Sequence, residues 1–176
     1  MVLMLGSSVR GVLDQREWSA LLDLSEAISN TVLWNGTVYP CFWEGVFCNY
    51  EDTSVINLHI INMGAGTIPE SIGNLTMLQE LIITGTEIVG TIPQNIDKLS
   101  VLVFIRLLQT KISGFIPESI GNLTLLKEII FTDNNIFGTI PNTISNLIDL
   151  TSLDLSINQL NGTIPQNITN LSNLQT

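Results

Sequence analysis

Basic side chains are scarce in this 176-residue chain. It carries six Lys and Arg residues against 16 Asp and Glu, which gives a formal net charge of −10 at pH 7. Nucleic-acid phosphates and anionic membrane surfaces are bound through clusters of Lys and Arg, so neither is expected as a partner. No apolar run approaches 18 residues, so the sequence predicts no membrane span.

Cysteine and histidine are also rare. His59 is the only histidine, and Cys41 and Cys48 are the only cysteines. Metal sites draw many of their ligands from these two residue types, so no metal site is predicted. A local disulfide between Cys41 and Cys48 is the favoured interpretation, and it indicates an oxidising compartment.

No catalytic constellation stands out. His59 has no serine or cysteine motif beside it and is expected to be a solvated strand residue. The repeated glycines read as turn residues, so no phosphate-binding loop and no cofactor are predicted. Glu80 and Glu128 recur two repeats apart, a spacing conceivable for a glycosidase pair, but the sequence offers neither a cleft nor a group that would raise a carboxyl pKa. The prediction is that the protein is not an enzyme.

Repetition is what the sequence has in abundance. The tetrapeptide Gly-x-Ile-Pro begins at Gly66, Gly90, Gly114, Gly138 and Gly162, at a constant period of 24 residues. Apolar residues recur at fixed offsets in every period. Such a period is typical of a leucine-rich-repeat solenoid. In the fourth coil the residues predicted to point inward are Leu147, Leu150, Leu153, Leu155, Leu160 and Ile164.

The chain divides into three predicted segments. Residues 1–13 read as a truncated signal peptide or a disordered tail, 14–54 as an N-terminal cap, and 55–176 as about four complete coils plus a partial fifth. Residues 14–29 have the spacing of an amphipathic helix, with Asp14 as its cap and Glu17 three residues later in a capping box. The alternation in 55–60 predicts the first strand.

One position in each turn predicts an inward polar side chain. Asn134 and Asn158 occupy it in the later coils, where an amide can satisfy backbone groups left unpaired by the bend. Thr86 and Thr110 hold the same position in the first two coils. A hydroxyl satisfies fewer groups than an amide, so these two turns are expected to be looser.

Particular segments resemble a known family. Residues 68–78 and 116–126 share the pattern Ile-Pro-Glu-Ser-Ile-Gly-Asn-Leu-Thr-x-Leu, and together with 153–165 they resemble the plant-type extracellular leucine-rich repeat. Residues 41–48, Cys-x-Trp-x-Gly-Val-x-Cys, resemble that family's N-terminal cap. The family includes ectodomains of receptor-like kinases and receptor-like proteins, and secreted inhibitors of polygalacturonases.

The resemblance implies an α/β repeat fold. It is a right-handed solenoid with a parallel sheet on the concave face, a second short sheet near the Gly-x-Ile-Pro steps, and a helical N-terminal cap. It also implies an extracellular location, secreted or as the outer part of a plasma-membrane protein. The implied partner is a protein or peptide ligand, possibly another leucine-rich-repeat ectodomain. Many members carry more coils and a second cysteine-bearing cap, so the chain is interpreted as a fragment.

The recognition surface is expected on the concave face, where strand alternation exposes every second side chain. Apolar residues surround Arg106 there, a composition typical of interface hot spots. The candidate partner-binding residues are His59, Ile61, Glu80, Ile82, Phe104, Arg106, Leu108, Glu128, Ile130 and Asp154.

Sequons predict N-glycosylation at Asn35, Asn74, Asn122, Asn161, Asn167 and Asn170.

Two further patterns keep alternative functions open. An acidic concave face would suit a secreted inhibitor of a basic cell-wall-degrading hydrolase. The row Thr67, Thr91, Thr139 and Thr163, interrupted by Phe115, would suit a structural solenoid that contacts a wall polymer or ice.

Overall fold

The computed structural model describes residues 11–28, 34 and 36–175. The segment 1–10, and with it most of the predicted signal peptide or tail, lies outside the described residues, as do Asn35 and the last residue of the helix predicted over 14–29. Helix α1 spans Gln15–Ala27. The strands are β1 (Val46–Cys48), β2 (Val55–Ile61), β3 (Ala65–Thr67), β4 (Glu80–Thr84), β5 (Glu87–Val89), β6 (Phe104–Leu108), β7 (Ser113–Gly114), β8 (Glu128–Ile130), β9 (Asn135–Gly138), β10 (Ser152–Asp154) and β11 (Gln159–Leu160).

Six strands form the concave sheet, in the order β1-β2-β4-β6-β8-β10. The antiparallel strand β1 covers one edge, and the other five run parallel to one another. Glu80 pairs with Phe104 and Phe104 with Glu128, so equivalent positions of successive coils stand side by side. The first step is one residue shorter, because Asn57 pairs with Glu80.

The short strands that follow each turn are called the lateral strands here. They pair in parallel, β3 with β5, β7 with β9, and β9 with β11. Short 3₁₀ helices occupy the opposite side of each coil, at Glu70–Asn74, Gln94–Lys98, Glu118–Asn122, Asn142–Asn146 and Gln166–Asn170. A proline precedes each of them. The predicted α/β repeat solenoid with a parallel concave sheet is confirmed.

The core is a continuous column of aliphatic side chains. Leu75, Leu99, Leu123 and Leu147 stack at equivalent positions with no exposed surface. The prediction is wrong for Ile164, which is 70% exposed. Its equivalent one coil earlier, Ile140, packs against the core, whereas within the described residues no complete coil stacks on Ile164.

The cap closes the first coil with buried aromatic rings. Trp34 and Trp43 stack with centroids 5.5 Å apart, and Cys41 and Cys48 form the predicted disulfide. Asp14 caps α1 by accepting a hydrogen bond from Arg16 N at 2.8 Å. The capping box is wrong: Glu17 is buried and accepts a hydrogen bond from Val55 N at 2.7 Å. The Glu17 carboxyl therefore binds the backbone of β2 and not, as the local pattern predicts, the N-terminus of its own helix.

The predicted polar turn position forms a ladder in the later coils. Asn134 Nδ2 donates to Leu107 O at 2.8 Å, in the preceding coil, and Asn158 Oδ1 accepts from Ile136 N at 3.0 Å. Thr110 Oγ1 donates to Asn134 Oδ1. Thr86 Oγ1 is buried without a hydrogen-bond partner among the described residues. Amides therefore join neighbouring coils where the threonine of the first coil does not.

Candidate recognition surface on the concave sheet

The register of the concave sheet arranges the candidate residues in rows. The first row is Asn57, Glu80, Phe104, Glu128 and Ser152, and the second is His59, Ile82, Arg106, Ile130 and Asp154. Ile61, Thr84 and Leu108 follow in a third. Along each strand these side chains alternate with core residues such as Leu81, Ile105 and Ile129, so they stand outward. All ten candidate residues thus share one face.

Polar side chains, three of them acidic or basic residues joined by ion pairs, connect four adjacent strands of this face. His59 Nε2 lies 2.9 Å from Glu80 Oε2, and Arg106 Nη1 lies 2.9 Å from Glu80 Oε1. Arg106 Nε also donates to Glu128 Oε1. His59 is therefore not the solvated strand residue that the sequence suggested, because its ring is held between Glu80 and the cap. We call His59, Glu80, Arg106 and Glu128 the ion-pair chain.

Aromatic rings contact two members of the ion-pair chain, His59 and Arg106. Phe47 of β1 contacts the His59 ring with centroids 5.0 Å apart, and the Arg106 guanidinium carbon lies 5.5 Å from the Phe104 centroid. Phe47 was missed by the sequence reasoning. Its place depends on the antiparallel pairing of β1 with β2, for which the repeat pattern gives no signal.

The charge on this face is set by its neighbours. Hydrogen bonding to Glu128 raises the pKa of Arg106, so the guanidinium stays cationic. Hydrogen bonds from Ser156 lower the pKa of Asp154, so this carboxylate stays ionised. This face thus carries three acidic residues, Glu80, Glu128 and Asp154, and one guanidinium, beside half-buried apolar side chains.

The candidate glycosidase pair, Glu80 and Glu128, belongs to the ion-pair chain. Glu80 and Glu128 do approach the same point, but Arg106 occupies it and pairs with both. Among the described residues there is no group of three or more His, Cys, Asp or Glu placed to share a metal ion. No helix in that part of the chain has the length and hydropathy of a membrane span.

The other predicted sites lie away from the concave sheet. Asn122, Asn161, Asn167 and Asn170 are exposed, and Asn74 is half-buried. The threonines of the interrupted row are all exposed along the lateral strands, and Phe115 within it is 61% exposed.

Similarity to known proteins follows the repeats. The Leucine Rich Repeat family model matches residues 125–147 and 149–171. Two curated Arabidopsis thaliana proteins are similar: a probable LRR receptor-like serine/threonine-protein kinase, 37% identical over 54 residues, and a putative leucine-rich repeat receptor-like serine/threonine-protein kinase, 45% identical over 60 residues. These matches cover 30% and 34% of this chain but 8% and 6% of the relatives, so the chain spans less than a tenth of their length.

Solved structures match over most of the chain. The ectodomain of the Arabidopsis receptor kinase GASSHO1/SCHENGEN3, solved with CASPARIAN STRIP INTEGRITY FACTOR 2, aligns with a TM-score of 0.87 and 28% identity over 90% of this chain and 20% of its own. A chain of the Arabidopsis BIR3–SERK2 complex aligns with a TM-score of 0.70 and 34% identity over 88% of this chain and 84% of its own. A plant ice-binding protein aligns with a TM-score of 0.81 and 30% identity, covering 90% and 53% of the two chains.

Proposed function

Because this chain belongs to the plant-type leucine-rich-repeat family, we propose that it is an extracellular recognition module that binds a protein or peptide through its concave sheet. It acts as part of a receptor or co-receptor ectodomain. The observation that carries the proposal is the acidic ion-pair chain set among apolar side chains on the open face of the sheet. The similar structures were solved in complex with CASPARIAN STRIP INTEGRITY FACTOR 2 or as the BIR3–SERK2 complex.

The apolar part of the face supports a protein partner. Ile61 is 48% exposed, and Ile82, Phe104, Leu108 and Ile130 are half-buried on neighbouring strands. Thr84 and Thr132 hold the positions of Ile61 and Leu108 in the neighbouring coils, so the fold itself accepts a polar residue there. Aliphatic side chains at positions that tolerate threonine are therefore best explained by contact with a partner.

The test is a pairwise plate assay of the purified chain against Arabidopsis leucine-rich-repeat ectodomains, with SERK2 among them. The variant is Ile61→Thr with Leu108→Thr, which copies the residues of the neighbouring coils. We expect at least one ectodomain to bind the unchanged chain and the double variant to bind it at least about tenfold more weakly. Equal binding by the double variant would remove the concave sheet from the proposal.

The matched control removes an exposed apolar side chain elsewhere. Val89 on β5 is 44% exposed, and Ser113 holds its position in the next coil, so Val89→Ser is the equivalent change on the lateral strands. This variant should bind as the unchanged chain does. Arg106→Glu is unsuitable as a test, because it would place a third carboxylate between Glu80 and Glu128.

We also propose that the chain itself has no catalytic activity. The proposal is supported by the ion pairs of Arg106 with Glu80 and Glu128, which occupy both members of the candidate carboxylate pair.

A second candidate function is contact with ice through the lateral strands. It is favoured by the exposed threonine row and by the likeness to a plant ice-binding protein. Phe115→Thr would complete the row. If the candidate is right, thermal hysteresis should be measurable for the unchanged chain and larger for this variant. Absence of hysteresis in both, at concentrations where an ice-binding control is active, would remove it.

A further inference from the structure

An exposed aromatic pair stands on the lateral strands, away from the concave sheet. Phe115 and Phe137 contact each other edge to face, with centroids 4.7 Å apart, and they are 61% and 40% exposed. Phe115 holds a position that is threonine in the four other coils. An exposed phenylalanine pair is unfavourable in water unless something covers it.

A sequon lies directly beside this pair. Asn161 N donates to Gly138 O at 2.8 Å, which carries the pairing of β9 and β11 one residue further and sets Asn161 alongside Thr139. Phe137, Thr139 and Asn161 are all exposed, while Ile136 and Leu160 turn towards the core. By this alternation the Asn161 side chain lies on the same face as the aromatic pair.

The ring of Phe115 reaches towards the same point. A Cβ added to Gly138 would lie 2.4 Å from Phe115 Cδ1, so this ring rests directly over Gly138, the residue whose carbonyl binds Asn161 N. Gly138 has a φ of +83°, and only glycine combines this backbone with so close an approach. A groove lined by Phe115, Pro117, Thr139 and Pro141 opens beside the ring.

We propose that Asn161 carries an N-linked glycan whose first N-acetylglucosamine packs on the Phe115–Phe137 pair. Neighbouring strands are about 5 Å apart, so a sugar attached to Asn161 begins within one strand spacing of the Gly138 backbone beneath Phe115. The axial C–H groups of the sugar ring match the negative face of an aromatic ring. The neighbouring polar side chains of the lateral strands are uncharged: Ser113 pairs with Asn135, and Gln159 Nε2 donates to Asn135 Oδ1.

The inference rests on the extracellular location in the proposed function, but its test does not. The chain is secreted from a host that makes high-mannose glycans, behind an added signal peptide, so every sequon passes the glycosylation machinery. Occupancy is read by mass spectrometry after enzymatic release in ¹⁸O-water, which labels each site that carried a glycan. We expect the label at Asn161. A bare Asn161 beside occupied Asn122 overturns this proposal and leaves the recognition function untouched.

The packing is tested with a two-by-two set of variants. Thr163→Ala removes the sequon while keeping Asn161, and Phe115→Thr copies the other coils. Loss of the glycan should lower Tm by about 2–4 °C when Phe115 is present and by less than about 1 °C in the Phe115→Thr background. Equal shifts in both backgrounds would mean that the glycan does not rest on the ring.

A direct contact measurement completes the test. Trimming with an endoglycosidase leaves one N-acetylglucosamine on each occupied site, and nuclear Overhauser effects from that sugar to the Phe115 ring protons are expected in the unchanged chain. Their absence overturns the packing. If Asn161 is bare and the chain dimerises in a way that Phe115→Thr abolishes, the pair belongs to an interface between two copies instead.

Discussion

Arg106 Nη1 lies 2.9 Å from Glu80 Oε1 on the neighbouring strand, and the same guanidinium also binds Glu128 on its other side. One cation thus serves two carboxylates across three strands of the concave sheet. The side chains are 21–31% exposed, so water screens them only in part. The ion-pair chain is therefore a stabilising element as well as the centre of the proposed recognition surface.

Removing the shared cation should destabilise the sheet. We expect Arg106→Gln to lower the free energy of unfolding by about 1–2 kcal/mol, more than a fully exposed pair would lose and less than a buried one. Urea unfolding at low and high salt measures it, and added salt should lessen the loss. The control is Lys111→Gln, because Lys111 pairs with Glu87 in an exposed contact and should cost less than about 0.5 kcal/mol. Equal losses would show that Arg106 gains nothing from its two partners.

Two threonines at equivalent positions should respond differently to the same substitution. Thr110 donates to Asn134 and accepts from Ile112 N at 3.3 Å, whereas the buried Thr86 hydroxyl has no partner among the described residues. We expect Thr110→Val to cost about 1–2 kcal/mol and Thr86→Val to be neutral or stabilising. Thermal unfolding of the two variants side by side measures the difference. A loss of the same size at Thr86 would contradict the hydrogen-bond assignment.

Ile157 has an unfavourable backbone conformation. Its φ is +54°, in a turn whose equivalent positions hold Asn62, Gly85, Gln109 and Asp133, all with positive φ. A β-branched side chain is costly in this region, and Ile157 is 68% exposed, so packing returns little. We expect Ile157→Asn to raise the free energy of unfolding by about 1 kcal/mol. The converse change, Gln109→Ile, should lower it by a similar amount in the same denaturant titration, and a stabilised Gln109→Ile chain would refute this account.

The buried carboxyl of Glu17 should give the cap a pH dependence. Burial raises the pKa of Glu17 above its ordinary value of 4.5, so the folded chain keeps this proton when the unfolded chain has lost it. Stability from this group is therefore greatest below about pH 4.5 and falls as pH rises towards the higher folded pKa. Glu17→Gln keeps an acceptor for Val55 N without the titration. Its stability relative to the unchanged chain should increase across that pH range in paired melts, and a constant difference would contradict the prediction.

Most of the fold is predicted by the 24-residue repeat. A 24-residue period with inward aliphatic positions defines which residues stack. Strand alternation then predicts from the sequence alone that Glu80, Arg106 and Glu128 lie on one face. The asparagines at 134 and 158 follow from the same reasoning, since a bend leaves backbone groups that an inward amide can satisfy. The division at residues 13 and 54, the glycan occupancies and the binding roles of the ten concave residues stay predictions.

Local pattern could not decide contacts between elements. Glu17 has the spacing of a capping box, yet it binds Val55 because only the folded cap brings the first residue of β2 to it. Phe47 reaches His59 through an antiparallel pairing outside the repeat. The sequence by itself determined the period, the core and the outward rows, because these depend on spacing along one chain. Tertiary structure alone decided the ion-pair chain, the Phe115–Phe137 pair beside Asn161 and the exposure of Ile164, because each depends on what the neighbouring coil presents.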